Sequence, residues 1–295
     1  MPLSRALRDR VARPARPELA QAYAYCGRLA RTHYENFTIA SWLMPRRMRP
    51  HMHAIYAYSR MADDFADEEH DLAKLDAWER ELDLAYAGAP RHPVFVALAD
   101  TVRRYDIPRQ PFADLLTAFR SDVEFKGFAT MADLMGYARY SANPVGRLVL
   151  YLFGYRDAQR QELADRICSG LQLANFWQDI AIDLGKGRIY LPRADIARFG
   201  YSEAELRKGT VNPAFVALMR HEVEFARDLL RTGAELHHLV DRRLSRDILM
   251  FAGGGLAILR AIEEIKYDVF QRRPSLTRRD YLRLGIDAMC GHLRV

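Results

Sequence analysis

Cysteine is scarce. The chain has three, Cys26, Cys168 and Cys290, far apart and in no CxxC pair. That argues against a disulfide framework and against a structural zinc site, and it fits a reducing compartment. No run of about 18 apolar residues occurs, so no segment is expected to span a membrane. Alternating Val/Ile/Thr runs are also missing, which leaves little signal for strands. No GxGxxG follows a strand, so a dedicated dinucleotide-binding domain is not expected. The first 16 residues hold five arginines but no apolar core, unlike a secretory signal. Pro14 and Pro17 interrupt any amphipathic helix there, and residues 1–18 read as a short basic arm.

What is present is helical. Hydrophobic residues make up 49% and charged residues 28% of 295 residues, an ordinary globular balance. Ala, Leu, Arg and Glu recur at helical spacing throughout. The pattern predicts helices over 19–32, 34–43, 48–67, 72–87, 93–104, 109–125, 130–152, 157–183, 193–198, 202–207, 212–235, 240–268 and 277–291. Without a repeat, a low-complexity tract or a Gly/Ser linker, residues 19–295 read as one all-α domain. The formal charge of +6 suggests an anionic partner. Nucleic acid is not the expected one, because no binding motif and no basic stripe with interleaved aromatics accompanies the charge.

Two segments are apolar around most of their circumference yet run into carboxylates. The first is AIYAYSRMA, Ala54–Ala62, followed by DDFADEE. At 100° per residue, Tyr56, Arg60, Asp63 and Asp67 share an arc of about 60°, and Asp64 lies about 100° from Asp63. The second is ICSGLQLANFW, Ile167–Trp177. Here Gln172, Asn175, Asp179 and Asp183 share an arc of about 80°. The first stripe alone fits a solvated face equally well. The second does not, since amides and carboxylates on an apolar helix cost several kcal/mol each unless partnered. Carboxylates at i and i+4 can share a ligand. Mg²⁺ typically takes one or two protein carboxylates, waters and substrate phosphate oxygens. Two facing DxxxD helices therefore suit a Mg²⁺–diphosphate cluster, and the lack of histidine on both suits Zn²⁺ poorly. Tyr34, Phe37, Trp42, Tyr56, Tyr137, Tyr140, Phe176 and Trp177 supply aromatic faces that could stabilise a carbocation, although aromatics at helical spacing are usually core.

At these residues the chain resembles the squalene/phytoene synthase family, from about His33 to Arg272. The DxxxD pairs match the family's two metal-binding motifs. His33-Tyr-Glu-Asn-Phe37 matches an early phosphate-facing segment, and GRIYLP, Gly187–Pro192, matches the segment after the second motif. The resemblance implies an isoprenoid synthase-type helical bundle with a central cavity. It implies that Asp63, Asp67, Asp179 and Asp183 hold two or three Mg²⁺ ions. His33, Asn36, Phe37, Tyr56, Arg60, Gln172, Asn175, Arg188 and Arg272 would serve substrate or diphosphate, with Arg60 and Tyr137 also catalytic. Asp122 stands where a further acidic residue is usual.

The chain departs from condensing members at three places. Gln178 in NFWQD replaces a usual arginine, Pro144 interrupts YSANPVGRLVL, and Gly253-Gly254-Gly255 stands where a phosphate-binding tyrosine is common. These departures resemble the family's hydroxysqualene-forming branch of hopanoid biosynthesis. That branch ionises presqualene diphosphate and lets water capture the rearranged cation, with no NADPH expected. Gln178 lies about 100° off the Asp179 stripe, so it reads either as a plain surface residue or as a holder of water. The alternatives are a presqualene diphosphate or (dehydro)squalene synthase condensing two farnesyl diphosphates, and an inactive assembly factor, which intact aspartate motifs disfavour. A cytoplasmic enzyme with a peripheral contact at the inner face of the membrane is expected from lipid substrates and products.

Overall fold

The computed structural model describes residues 16–32 and 44–290. Among them no strand forms, and the architecture is all-α. The predicted helix 34–43 lies outside the described residues. The described residues form two compact units, one within residues 16–32, 44–124 and 148–155, the other within residues 125–147 and 156–290.

The first unit is built from α1 (Arg16–Thr32), α2 (Arg49–Asp67), α3 (Leu72–Ala87), α4 (Pro93–Tyr105) and α5 (Gln110–Val123). Local chemistry sets their ends. The Asp71 side chain accepts from Lys74 N–H to start α3, and Gly88 ends it in the left-handed conformation. Pro50 opens α2, where a missing N–H costs nothing. Along α2, Ala54, Ala57, Ala62 and Ala66 are fully buried, so neighbouring helices approach closely. Between them Tyr58 is fully buried and donates to the Phe112 carbonyl at 2.9 Å, while the Trp78 indole donates to the Tyr58 carbonyl. Near the start of α2, His51 lies within 2.8 Å of the Tyr23 hydroxyl, which also donates to Asp100. Burial pushes the His51 imidazole down to about 4.

The second unit holds α6 (Met131–Ser141), the start of α7 (Asn143–Phe153), α8 (Ala158–Gln178), α9 (Ile180–Gly185), α10 (Arg193–Arg198), α11 (Glu203–Arg207), α12 (Pro213–Ala234), α13 (Arg242–Glu264) and α14 (Arg278–Cys290). Two predicted helices are broken. The span 130–152 ends at Ser141 and restarts at Asn143, because Pro144 has no N–H to continue the first helix. The span 157–183 breaks at Asp179, whose backbone (φ −106°, ψ 14°) leaves the helical region. The last stretch of the predicted 240–268 is irregular beyond Glu264, and a 3₁₀ turn, Glu235–His238, precedes α13.

Close helix approach dominates this unit. A Cβ on Gly233 of α12 would lie 2.7 Å from Ile167 Cγ1, 2.8 Å from the Ile167 nitrogen and 2.9 Å from the Leu163 carbonyl of α8. Backbone cannot yield as a flexible side chain can. Gly233→Ala is therefore expected to destabilise the fold by about 2 kcal/mol or more, read as a lowered urea midpoint at unchanged slope. Within the glycine triad of α13, a Cβ on Gly255 would meet only the side-chain ends of Leu230 at 2.8 Å and Leu171 at 2.9 Å, a closeness that those leucines could relieve by shifting. Among the described residues no helix is long and apolar enough to cross a membrane.

Candidate active site

The first stripe occupies the last turns of α2. From His51 to Tyr58 the helix is buried apart from half-buried His53, then it emerges so that Arg60, Asp63, Asp64 and Asp67 are half-buried. One guanidinium organises the cluster. Arg60 Nη1 reaches Asp63 at 3.1 Å, and Nη2 reaches Asp64 at 2.6 Å and Glu68 at 3.2 Å. Tyr56, one turn before Arg60, is buried on the same helix. The helical wheel set Asp64 aside, yet the structure ties it to Arg60. An i,i+4 partner lies only about 40° round the helix, within reach of a long side chain.

The second stripe spans the helix break. Gln172 is half-buried on α8, Asn175 is exposed, and Asp179 joins α8 to α9. The break does not destroy the spacing. Asp179 N–H donates to the Asn175 carbonyl and Asp183 N–H to the Asp179 carbonyl, both at 2.9 Å. The i→i+4 relation between the two aspartates thus persists. Around Asp179, Asn175 Nδ2 donates at 2.8 Å, and Arg273 makes a two-pronged contact, Nε to Oδ1 at 2.5 Å and Nη2 to Oδ2 at 3.1 Å. The arginine on this stripe is Arg273. Its neighbour Arg272, which the resemblance makes a diphosphate contact, is exposed as Arg273 is. Gln178 is not a surface residue: it is buried and donates to the Pro274 carbonyl at 2.5 Å.

Beside this stripe the second unit gathers an aromatic cluster. Phe176, the residue after Asn175, stacks on Tyr190 with ring centroids 3.7 Å apart and planes 10° from parallel. Tyr137 of α6 lies 6.4 Å from Phe176 and 5.4 Å from Phe128, and Phe125 lies 5.0 Å from Tyr190. The Arg188 guanidinium sits over the Phe125 ring at 5.8 Å. Tyr137 and Arg188, singled out in the sequence, thus meet through Phe125, Phe128 and Tyr190. Phe125 and Phe128 lie in the irregular segment between α5 and α6, at and beyond the last residue of the helix predicted over 109–125. Asp122 is half-buried near the end of α5 in the first unit. His33, Asn36 and Phe37 lie outside the described residues, as do Tyr34 and Trp42.

Among the described residues, no three His, Cys, Asp or Glu side chains gather closely enough to enclose a metal ion unaided. The donors that are present still fit Mg²⁺ better than a softer metal. They are carboxylate oxygens, and each stripe already receives a cationic side chain on them, Arg60 on one and Arg273 on the other.

The all-helical fold is that of the isoprenoid synthases, shared with solved structures of the squalene synthase type. The family model described as squalene/phytoene synthase matches residues 30–280, and the chain is a member of that family. It is 32% identical to 15-cis-phytoene synthase of Synechococcus elongatus, over 88% of this chain and 91% of that one. Phytoene synthase of Mycobacterium tuberculosis is also 32% identical, over 88% of each. Among solved structures, squalene synthase HpnC from Alicyclobacillus acidocaldarius is 42% identical with a TM-score of 0.83, covering 86% of this chain and 97% of that one. A dehydrosqualene synthase with bound ligand aligns with a TM-score of 0.86 at 28% identity, over 93% and 97% of the two chains. The chain is therefore an enzyme of the squalene or phytoene synthase type, a family that acts on isoprenoid diphosphates.

Proposed function

We propose that this enzyme ionises presqualene diphosphate and directs water onto the rearranged cation, giving hydroxysqualene and diphosphate. The reading is carried by the 42% identity to a squalene-type structure, above the 32% shared with enzymes named phytoene synthase. The neutral Gln178, where condensing members usually carry arginine, supports the hydroxylating outcome. In this reading Asp63, Asp67, Asp179 and Asp183 are the Mg²⁺ ligands, with Gln172 and Asn175 beside them. Bound Mg²⁺ supplies Lewis-acid neutralisation of the departing diphosphate. Arg60, Arg188 and Arg272 add positive charge to the leaving group. The faces of Phe176, Tyr190 and Tyr137 stabilise the cation through their quadrupoles and exclude stray solvent. One water adds its oxygen to the carbon skeleton and loses one proton, so no reductant is consumed.

A second reading follows from the relatives named phytoene synthase: condensation of two prenyl diphosphates. Product analysis by mass spectrometry separates the two. The enzyme with Mg²⁺ and presqualene diphosphate in ¹⁸O-water is expected to yield a labelled C30 alcohol without NADPH. An unlabelled hydrocarbon, or presqualene diphosphate formed from farnesyl diphosphate, would move the activity to the condensing branch.

A further inference from the structure

The irregular chain after α13 is pinned to the end of α8 by consecutive residues. Pro274 is buried and its carbonyl accepts from the buried amide of Gln178. Arg273, just before it, is about half exposed and grips Asp179 with two nitrogens. Gln178 and Asp179 are also consecutive. Two adjacent residues at the end of α8 therefore hold two adjacent residues of the C-terminal segment, one through a buried neutral bond and one through an ion pair. The two contacts differ in what they can achieve alone. A long, half-exposed arginine loses side-chain entropy on holding one geometry, so such a pair depends on its two-pronged geometry being set by the backbone that carries it. The Gln178 bond supplies that fixation. It is buried, and Pro274 has no N–H, so its carbonyl is the only backbone group the residue offers. A guanidinium at 178 would bring a charge into this buried place beside Arg273, at a high desolvation cost.

We propose that Gln178 is a positioning residue for the metal site: by fixing the Arg273–Pro274 turn it seats the Arg273 guanidinium on the Asp179 carboxylate, where that guanidinium competes with a divalent cation. The inference rests on the reading of Asp179 as a metal ligand. Both Asp179 oxygens already accept hydrogen bonds, from Arg273 and from Asn175, so an arriving ion meets a carboxylate with its charge already countered. Loosening the turn withdraws the competitor.

Mn²⁺, titrated alone into the full-length chain and followed by electron paramagnetic resonance, tests this. Arg273→Gln is expected to bind Mn²⁺ about tenfold more tightly than the wild type, the equivalent of one charge-assisted contact. Gln178→Leu, which keeps the bulk and removes the donor, should shift affinity in the same direction by at least about threefold. The double variant should bind no more tightly than Arg273→Gln, because both changes remove the same competitor. Gln178→Met gives a second donor-free variant should the leucine chain fail to fold. Wild-type affinity in the folded Gln178 variants, or additive shifts in the double variant, would overturn the positioning role while a shift in Arg273→Gln leaves Asp179 as a ligand. Unchanged Mn²⁺ binding in Asp179→Ala would instead remove Asp179 from the metal site, the separate failure of the underlying reading.

Discussion

Excess chelator is expected to stop turnover, and added Mg²⁺ to restore it. Asp63→Ala, Asp67→Ala, Asp179→Ala and Asp183→Ala should each lower kcat by about 10²–10³-fold, the usual cost of removing one element of transition-state charge stabilisation. The chains should remain folded. In the first stripe, Arg60 keeps Asp64 and Glu68 as partners when Asp63 is lost. Thinning a cluster of like charges also relieves their repulsion. Asp64→Ala should be milder, because Arg60 retains Asp63. Steady-state assays of product across a Mg²⁺ series, with circular dichroism as the control for folding, measure all of this. Full turnover in chelator would end the metal-dependent reading. A loss at Asp64 equal to that at Asp63 would show that the Arg60 cluster works as a whole, not as a single face.

A second large effect is expected at a buried acid that belongs to neither aspartate stripe. Glu222 on α12 is fully buried, and among the described residues neither carboxylate oxygen has a hydrogen-bond partner. Its backbone carbonyl accepts from the Trp177 indole, so the side chain sits deep in the packing of the second unit. Burial pushes its carboxyl up to about 8 from the ordinary 4.5, and nearby Asp195 adds to the rise. Below pH 4.5 the group is protonated in both folded and unfolded chains and has no effect on stability. As pH rises from 4.5 to 8 the unfolded chain releases the proton and the folded chain retains it. Stability therefore falls across that window and levels off above it. Glu222→Gln removes the loss. At pH 8 the variant should be more stable by about 2–4 kcal/mol, a rise in Tm of roughly 5–10 °C, and near pH 4 the two should coincide. Thermal scans of both proteins from pH 4 to 9 test this. Parallel curves would show that Glu222 is charged in the folded state and has found a partner.

Much of this architecture is legible in the chain because its signals are local. Asp71 and Gly88 bracket α3, and the short helix Arg193–Arg198 coincides with its predicted span. The two acidic stripes are visible because carboxylates at helical spacing on an apolar segment are costly unless something binds them. Features that depend on distant partners are not legible. The break at Asp179 has no compositional mark. Arg273 falls in an irregular segment without periodicity, so nothing in the sequence ties it to Asp179 until the Pro274 carbonyl is seen on Gln178. Asp64 falls off the face because a helical wheel tracks Cβ directions and ignores the reach of a guanidinium. Glu222 looks like any charged residue in RHEVEF, and only its neighbours make it an isolated acid.

The kink between α8 and α9 has an electrostatic consequence. An aspartate opening a short helix ordinarily turns its carboxylate back onto the first free N–H groups, which then consume its charge. Asp179 makes no such contact. It also stands at the C-terminal end of a 21-residue helix, where the summed peptide dipoles place a partial negative charge. With no cap bond to the short helix that follows and the C-terminal end of the longer helix behind it, this carboxylate keeps its oxygens for side-chain donors. The local preference for positive charge is thus partly written into the main chain, before any other side chain is counted.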